Sequence, residues 1–86
     1  MEMVEFKEFK TKVCDFYRQN RMTYFVWYIP EYDKCSIQIS FRMDNIDVLF
    51  TYVLTGFSND SQRDRKAEKL MKDLSASLDS IKNSYA

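Results

Sequence analysis

The chain has no histidine, one glycine, one proline and two cysteines among its 86 residues, and it carries no excess charge of either sign. Each shortage excludes something. Without histidine the commonest general base, proton shuttle and metal ligand is missing, and neither a Cys-His nor a Ser-His arrangement can be assembled. One glycine leaves no Gly-rich phosphate loop, and one proline leaves no Pro-rich segment. Thirteen Lys and Arg against thirteen Asp and Glu remove any whole-molecule field that would draw in nucleic acid or an anionic membrane. The longest uncharged stretch, 48–59, is little more than half of what a bilayer-crossing helix needs.

Two cysteines, Cys14 and Cys35, form no C-x-x-C pair and are too few for the disulfide framework of a small secreted domain. Two free thiols packed as small hydrophobes, or a single bridge, are both compatible with the spacing. The opening MEMVEFKEFK alternates charge with apolar residues and has no apolar signal-peptide core. A cytoplasmic location with no membrane partner is the expectation.

What is present suits one small domain over 1–86. Hydrophobic residues make up 45% and aromatics 16%, enough for a core, although a chain this short buries only roughly 60–65% of the surface its unfolded form exposes. Residues 2–20 predict a helix, with Met3, Phe6, Phe9, Val13 and Phe16 spaced by three and four. Residues 23–29 are β-branched and aromatic and predict a strand that Pro30 closes. Residues 35–43 alternate, with Cys35, Ile37, Ile39, Phe41 and Met43 on one face and Ser36, Gln38, Ser40 and Arg42 on the other. Asp44-Asn45 suits a two-residue hairpin turn into a third strand, 46–55. That turn sets Phe41 opposite Val48, Ile39 opposite Phe50 and Arg42 opposite Asp47. After the loop 56–60, Ser61 or Asp60 caps a helix over 61–84. Its stripe is Ala67, Leu70, Met71, Leu74, Leu78, Ile81 and Tyr85.

The order α-β-β-β-α predicts an α+β two-layer sandwich, a three-stranded antiparallel meander with both helices on one face. The other face is then open. Ranking the first strand by greasiness turns Phe25, Trp27 and Ile29 inward and leaves Tyr24, Val26 and Tyr28 outside, their hydroxyls reaching water. With Leu49 and Val53 they form an apolar patch, with Arg42 as its polar anchor. Interface cores favour aromatics and arginine, so these six residues are the candidate contacts for a protein partner or for a second copy in a homodimer.

Catalytic chemistry finds little support. Asp44, Asp47, Glu31 and Asp33 lie in or beside turns, with no apolar pocket signature to raise a carboxyl pKa. None of the six serines after Phe57 sits in G-x-S-x-G. No metal site or cofactor is expected, because two distant thiols and carboxylates alone make a poor zinc set.

Charge is unevenly distributed: residues 61–86 hold six basic against four acidic side chains, whereas 22–60 hold two against five. Arg65, Lys69 and Lys72 fall at i, i+4 and i+7, with Arg63 and Lys66 beside them, a plausible row of phosphate contacts. The run Arg65-Lys66-Ala67-Glu68-Lys69 and the α-β-β-β-α order together resemble the double-stranded-RNA-binding domain. The similarity covers nearly the whole chain as topology. Glu68 stands where that family has a lysine, and the loop Pro30-Glu31-Tyr32-Asp33-Lys34 is acidic and lacks the family's histidine. The resemblance implies RNA binding through the last helix. The leading expectation is a non-enzymatic protein-binding module, an inhibitor, adaptor or antagonist of the kind common among phage and mobile-element accessory proteins. RNA binding is the alternative.

Overall fold

The computed structural model describes residues 2–20, 23–31, 36–43 and 48–84. It contains helix α1 (Glu2–Asn20), strands β1 (Tyr24–Glu31), β2 (Ser36–Met43) and β3 (Val48–Leu54), and helix α2 (Asp60–Ser84). The strands form one antiparallel sheet in the order β1-β2-β3. Helix α1 lies over β3, α2 lies over β1 and β2, and the helices touch each other. The fold is the α+β arrangement that the alternation of patterns predicts, with the two amphipathic helices sharing one sheet face.

Between the layers, α1 contributes Phe6, Phe9, Val13, Cys14 and Tyr17, and α2 contributes Ala67, Leu70, Leu74, Leu78 and Ile81. The sheet supplies Ile39, Phe41, Met43, Tyr52 and Leu54. Aromatic rings bridge α1 to the sheet: Phe6 meets Tyr52 edge-on at 5.4 Å, Phe16 meets Phe50 at 5.3 Å, and Tyr17 meets Tyr24 at 5.3 Å. Such tilted pairs add roughly 0.5–1.5 kcal/mol beyond the area they bury. Lys10 ties the helices together with a 3.0 Å ion pair to Asp73. Cys14 is a free, buried thiol whose pKa is raised by burial, whereas Cys35, the Asp44-Asn45 turn, Asp33, Asp47 and Tyr85 lie outside the described residues.

Three sequence expectations need correction. The β2–β3 ladder pairs Ile37 with Leu54, Ile39 with Tyr52, Phe41 with Phe50 and Arg42 with Leu49. That is two residues away from the register of a two-residue turn, so Arg42 does not oppose Asp47. A slip of two leaves every side chain on its expected face, because strand side chains repeat every two residues. The cap of α2 is Asn59, not Ser61 or Asp60: its Oδ1 accepts from the Gln62 N–H at 2.9 Å, and Ser58 N–H donates back to Gln62 Oε1 at 3.3 Å.

The third correction matters most. Strand β1 presents the opposite face: Tyr24, Val26 and Tyr28 pack against the core, while Phe25 and Ile29 are about half exposed, at 53% and 46%. The cause is the register of the β1–β2 pair. Pro30 does not close β1; it pairs with Ile37, and Glu31 pairs with Ser36. A proline is tolerated here because β1 is an edge strand. Ending at Glu31, the strand sets Tyr28 opposite Ile39 and Val26 opposite Phe41, and opposed residues share a face. Tyrosines also gain on that side, since Tyr24 donates its hydroxyl to Asp79 and Tyr28 to Asp64 at 3.2 Å.

This facing orders the effects of two adjacent substitutions. Tyr24→Ser lowers unfolding free energy by about 3 kcal/mol, as large core truncations do, and Phe25→Ser by less than about 1 kcal/mol. Urea denaturation of both variants measures the order, and the reverse order would mean that Phe25 is the buried member.

Candidate protein interface

The open face of the sheet is built in three rows across the strands. Phe25, Arg42 and Leu49 form the first, Trp27, Ser40 and Thr51 the second, and Ile29, Gln38 and Val53 the third. The side chain of Leu49 lies outside the described residues, although its backbone pairs with Arg42. Phe25, Ile29 and Val53 are the exposed large apolar side chains among the described residues, and all three stand on this face. Arg42 is exposed between Phe25 and the Leu49 position. Ser40 is only 3% exposed although no helix covers it. Its hydroxyl lies 3.3 Å from that of Thr51, and Trp27 is its neighbour on the other side. Ser40 is thus enclosed by its neighbours in the middle row, while the exposed apolar side chains stand on β1 and β3.

Of the six interface residues expected from sequence, Arg42 and Val53 stand on this face. Tyr24, Val26 and Tyr28 do not; they belong to the helix-covered side. Sequence reasoning passed over Phe25, Trp27 and Ile29, whose hydrophobicity marked them for the core.

The five basic residues of α2 are also divided by the fold. Arg63 is not a surface group: its side chain is 6% exposed, with Nη1 3.1 Å from Asp60 and Nε 3.2 Å from Asp64. It occupies the buried stripe one turn before Ala67. Asp64 also accepts the Tyr28 hydroxyl, so the first turn of α2 is pinned to β1 through a buried guanidinium. Lys72 lies 3.7 Å from Glu68, and both line a cavity of about 410 Å³ with Tyr28, Asp64, Met71 and Ser75. Arg65, Lys66 and Lys69 line a different groove with Phe57 and Gln62. No single face carries all five.

Among the described residues no group of three His, Cys, Asp or Glu side chains could hold a metal ion. No described helix is long and apolar enough to cross a membrane. The tyrosine hydroxyls are the perturbed groups of the β1–α2 contact. Burial, with Asp79 adding to it, pushes Tyr24 far above its ordinary value, and burial with Asp64 raises Tyr28 in the same direction.

Two outcomes follow. Arg63→Ala removes charge-assisted hydrogen bonds from a buried donor and lowers stability by roughly 2 kcal/mol, read by thermal or urea unfolding; a change below about 0.5 kcal/mol would contradict its anchoring role. The tyrosines govern alkaline stability. The folded state holds the Tyr24 proton more tightly than the unfolded chain, whose tyrosines titrate near pH 10, so this contribution is intact below about pH 10 and falls as pH rises beyond it. Between pH 9 and pH 11 the urea midpoint of the native chain drops further than that of Tyr24→Phe; equal drops would remove Tyr24 as the cause.

No protein-family model, no curated protein and no solved structure matches this chain, so its function is read from the geometry of its own residues.

Proposed function

We propose that the chain is a small, non-enzymatic module that binds another protein through the open face of its sheet, working in the cytoplasm as an inhibitor, adaptor or antagonist. The observation that carries this reading is the grouping of the exposed large apolar side chains. Phe25, Ile29 and Val53 share one uncovered face with Trp27 instead of being scattered singly, as ordinary surface hydrophobics are. Phe25, Trp27 and Ile29 supply the aromatic and aliphatic anchors, and Arg42 the polar one.

The dimensions favour a larger partner over a second copy. Strands of eight, eight and seven residues give a face of roughly 26 by 14 Å, about 370 Å² in projection. A standard interface takes about 800 Å² from each partner. Two copies stacked face to face stay well below that, whereas a larger protein reaches past the β1 edge and covers more.

Phe25→Ser combined with Val53→Asp tests the reading. The double variant keeps its far-UV circular dichroism and a cooperative unfolding transition, and loses the partner that the native chain retains on affinity isolation from its own cells. Unaltered retention of that partner would dismiss the open face. A native solution mass of twice 10.4 kDa that the variant halves would assign the face to self-association instead.

A further inference from the structure

Away from the sheet face, the charges of α2 are sorted by flank. Asp64 and Glu68 stand over the cavity beside Tyr28 and Met71. Arg65, Lys66 and Lys69 stand over the other groove, of about 430 Å³, with Phe57 and Gln62 completing its lining. Among the described residues, three cations and no carboxylate line that groove, in a chain whose formal net charge is zero. Phe57 is half-buried and packs against the core, so one part of its ring is fixed and the rest borders the groove. Arg65 and Lys69 are one helical turn apart, about 6 Å along the axis, far enough to meet successive phosphoryl groups. The Arg65 Nε–H bonds the Ser61 carbonyl at 3.4 Å, which holds the side chain back along the helix toward its first turn.

We infer that this groove binds a nucleotide, with its phosphates against Arg65, Lys66 and Lys69 and its base against the ring of Phe57. Charge complementarity selects an anion, since the charged side chains described in the groove are all cationic. The aromatic wall selects a planar ring over bare phosphate, because base–aromatic stacking contributes to binding whatever the base. One nucleotide unit carries both the anion and the planar ring. That unit is either a free nucleoside triphosphate or one residue of an unpaired strand. A duplex hides its base faces and offers the ring nothing.

The inference is independent of the sheet-face reading, and its test uses the full chain. ATP, inorganic pyrophosphate, a 12-nucleotide oligouridylate and a blunt RNA duplex are titrated at low salt, followed by amide shifts of residues 57–69 and by fluorescence anisotropy. Saturable binding of ATP is expected, at least tenfold tighter than pyrophosphate. Arg65→Ala with Lys69→Ala weakens it tenfold or more, and Lys12→Ala on α1 leaves it unchanged. Phe57→Leu brings ATP down to the pyrophosphate level; should that variant fail to fold, nuclear Overhauser contacts between the adenine protons and the Phe57 ring in the native chain give the same answer. Oligouridylate binding tighter than ATP, with log affinity falling by about 2 per decade of salt for three cations, names a strand as the source. ATP binding tighter than the strand names a free nucleotide. No saturable binding of either, or duplex bound as tightly as strand with no effect of Phe57→Leu, overturns the inference. Phe25→Ser with Val53→Asp leaves every one of these affinities unchanged, which separates this site from the sheet face.

Discussion

Residues opposed on an antiparallel ladder share a face, and that parity on the β1–β2 pair determines what this molecule buries and what it displays. With Glu31 against Ser36, every even residue of β1 faces the odd, apolar residues of β2. Tyr24 and Tyr28 then lie under α2, where Asp79 and Asp64 accept their hydroxyls. Phe25, Trp27 and Ile29 lie outside. A one-residue change of register would exchange the two sets, strip both carboxylates of their tyrosine partners and replace the aromatic ridge with two tyrosines and a valine. The packing of α2 and the character of the open face are therefore one decision, made by the β1–β2 connection.

The same contact organises the electrostatics of α2. Arg63 would be costly to bury alone, because removing a charge from water is repaid only by close partners. Asp60 and Asp64 provide them, and Asp64 is held in place in turn by Tyr28. With Arg63 committed inward, the charged residues from 65 to 72 divide. Glu68 and Lys72 pair on the β1 side, and Arg65, Lys66 and Lys69 gather on the side of Phe57. A helix that is nearly balanced in sequence thus presents one flank of mixed charge and one whose described charged residues are basic.

How far the chain was legible depends on which physical signal each element carries. Helix α1 and the buried face of β2 and β3 were readable because apolar periodicity is strong and a two-residue slip preserves facing. The burial of Arg63 was also written in the chain: stepping back four residues along the stripe from Ala67 arrives at it, and its charge alone argued against placing it inside. The Asn59 cap was hidden by competing oxygens at Ser58, Asp60 and Ser61, which composition does not rank. Strand β1 was the hard case. Both of its faces are apolar, so hydrophobicity has no preference, and facing falls to whether its connection to β2 holds an odd or even number of residues. Ending β1 at residue 29 and opening β2 at Cys35 leaves five residues between them, an odd number. Pairing Glu31 with Ser36 leaves four, and that change of parity turns the strand over.

An open apolar face on a chain this small is a matter of chain entropy as much as of function. Covering roughly 370 Å² of sheet with a third helix would bury about half that area as apolar surface, about 5 kcal/mol at 25 cal/mol per Å². Each of the additional residues would give up about 1–2 kcal/mol of backbone freedom when ordered. The return is too small to favour lengthening the chain for this purpose alone. A partner already folded brings its surface ready-made and loses mainly the freedom of one rigid body, so an external protein would cover Phe25, Trp27 and Ile29 at lower entropic cost than this chain could. Pro30 would restrict how the proposed partner approaches. It removes one donor from the β1 backbone, which makes strand-to-strand extension along that edge less favourable and favours the face itself, with its exposed side chains, as the contact surface.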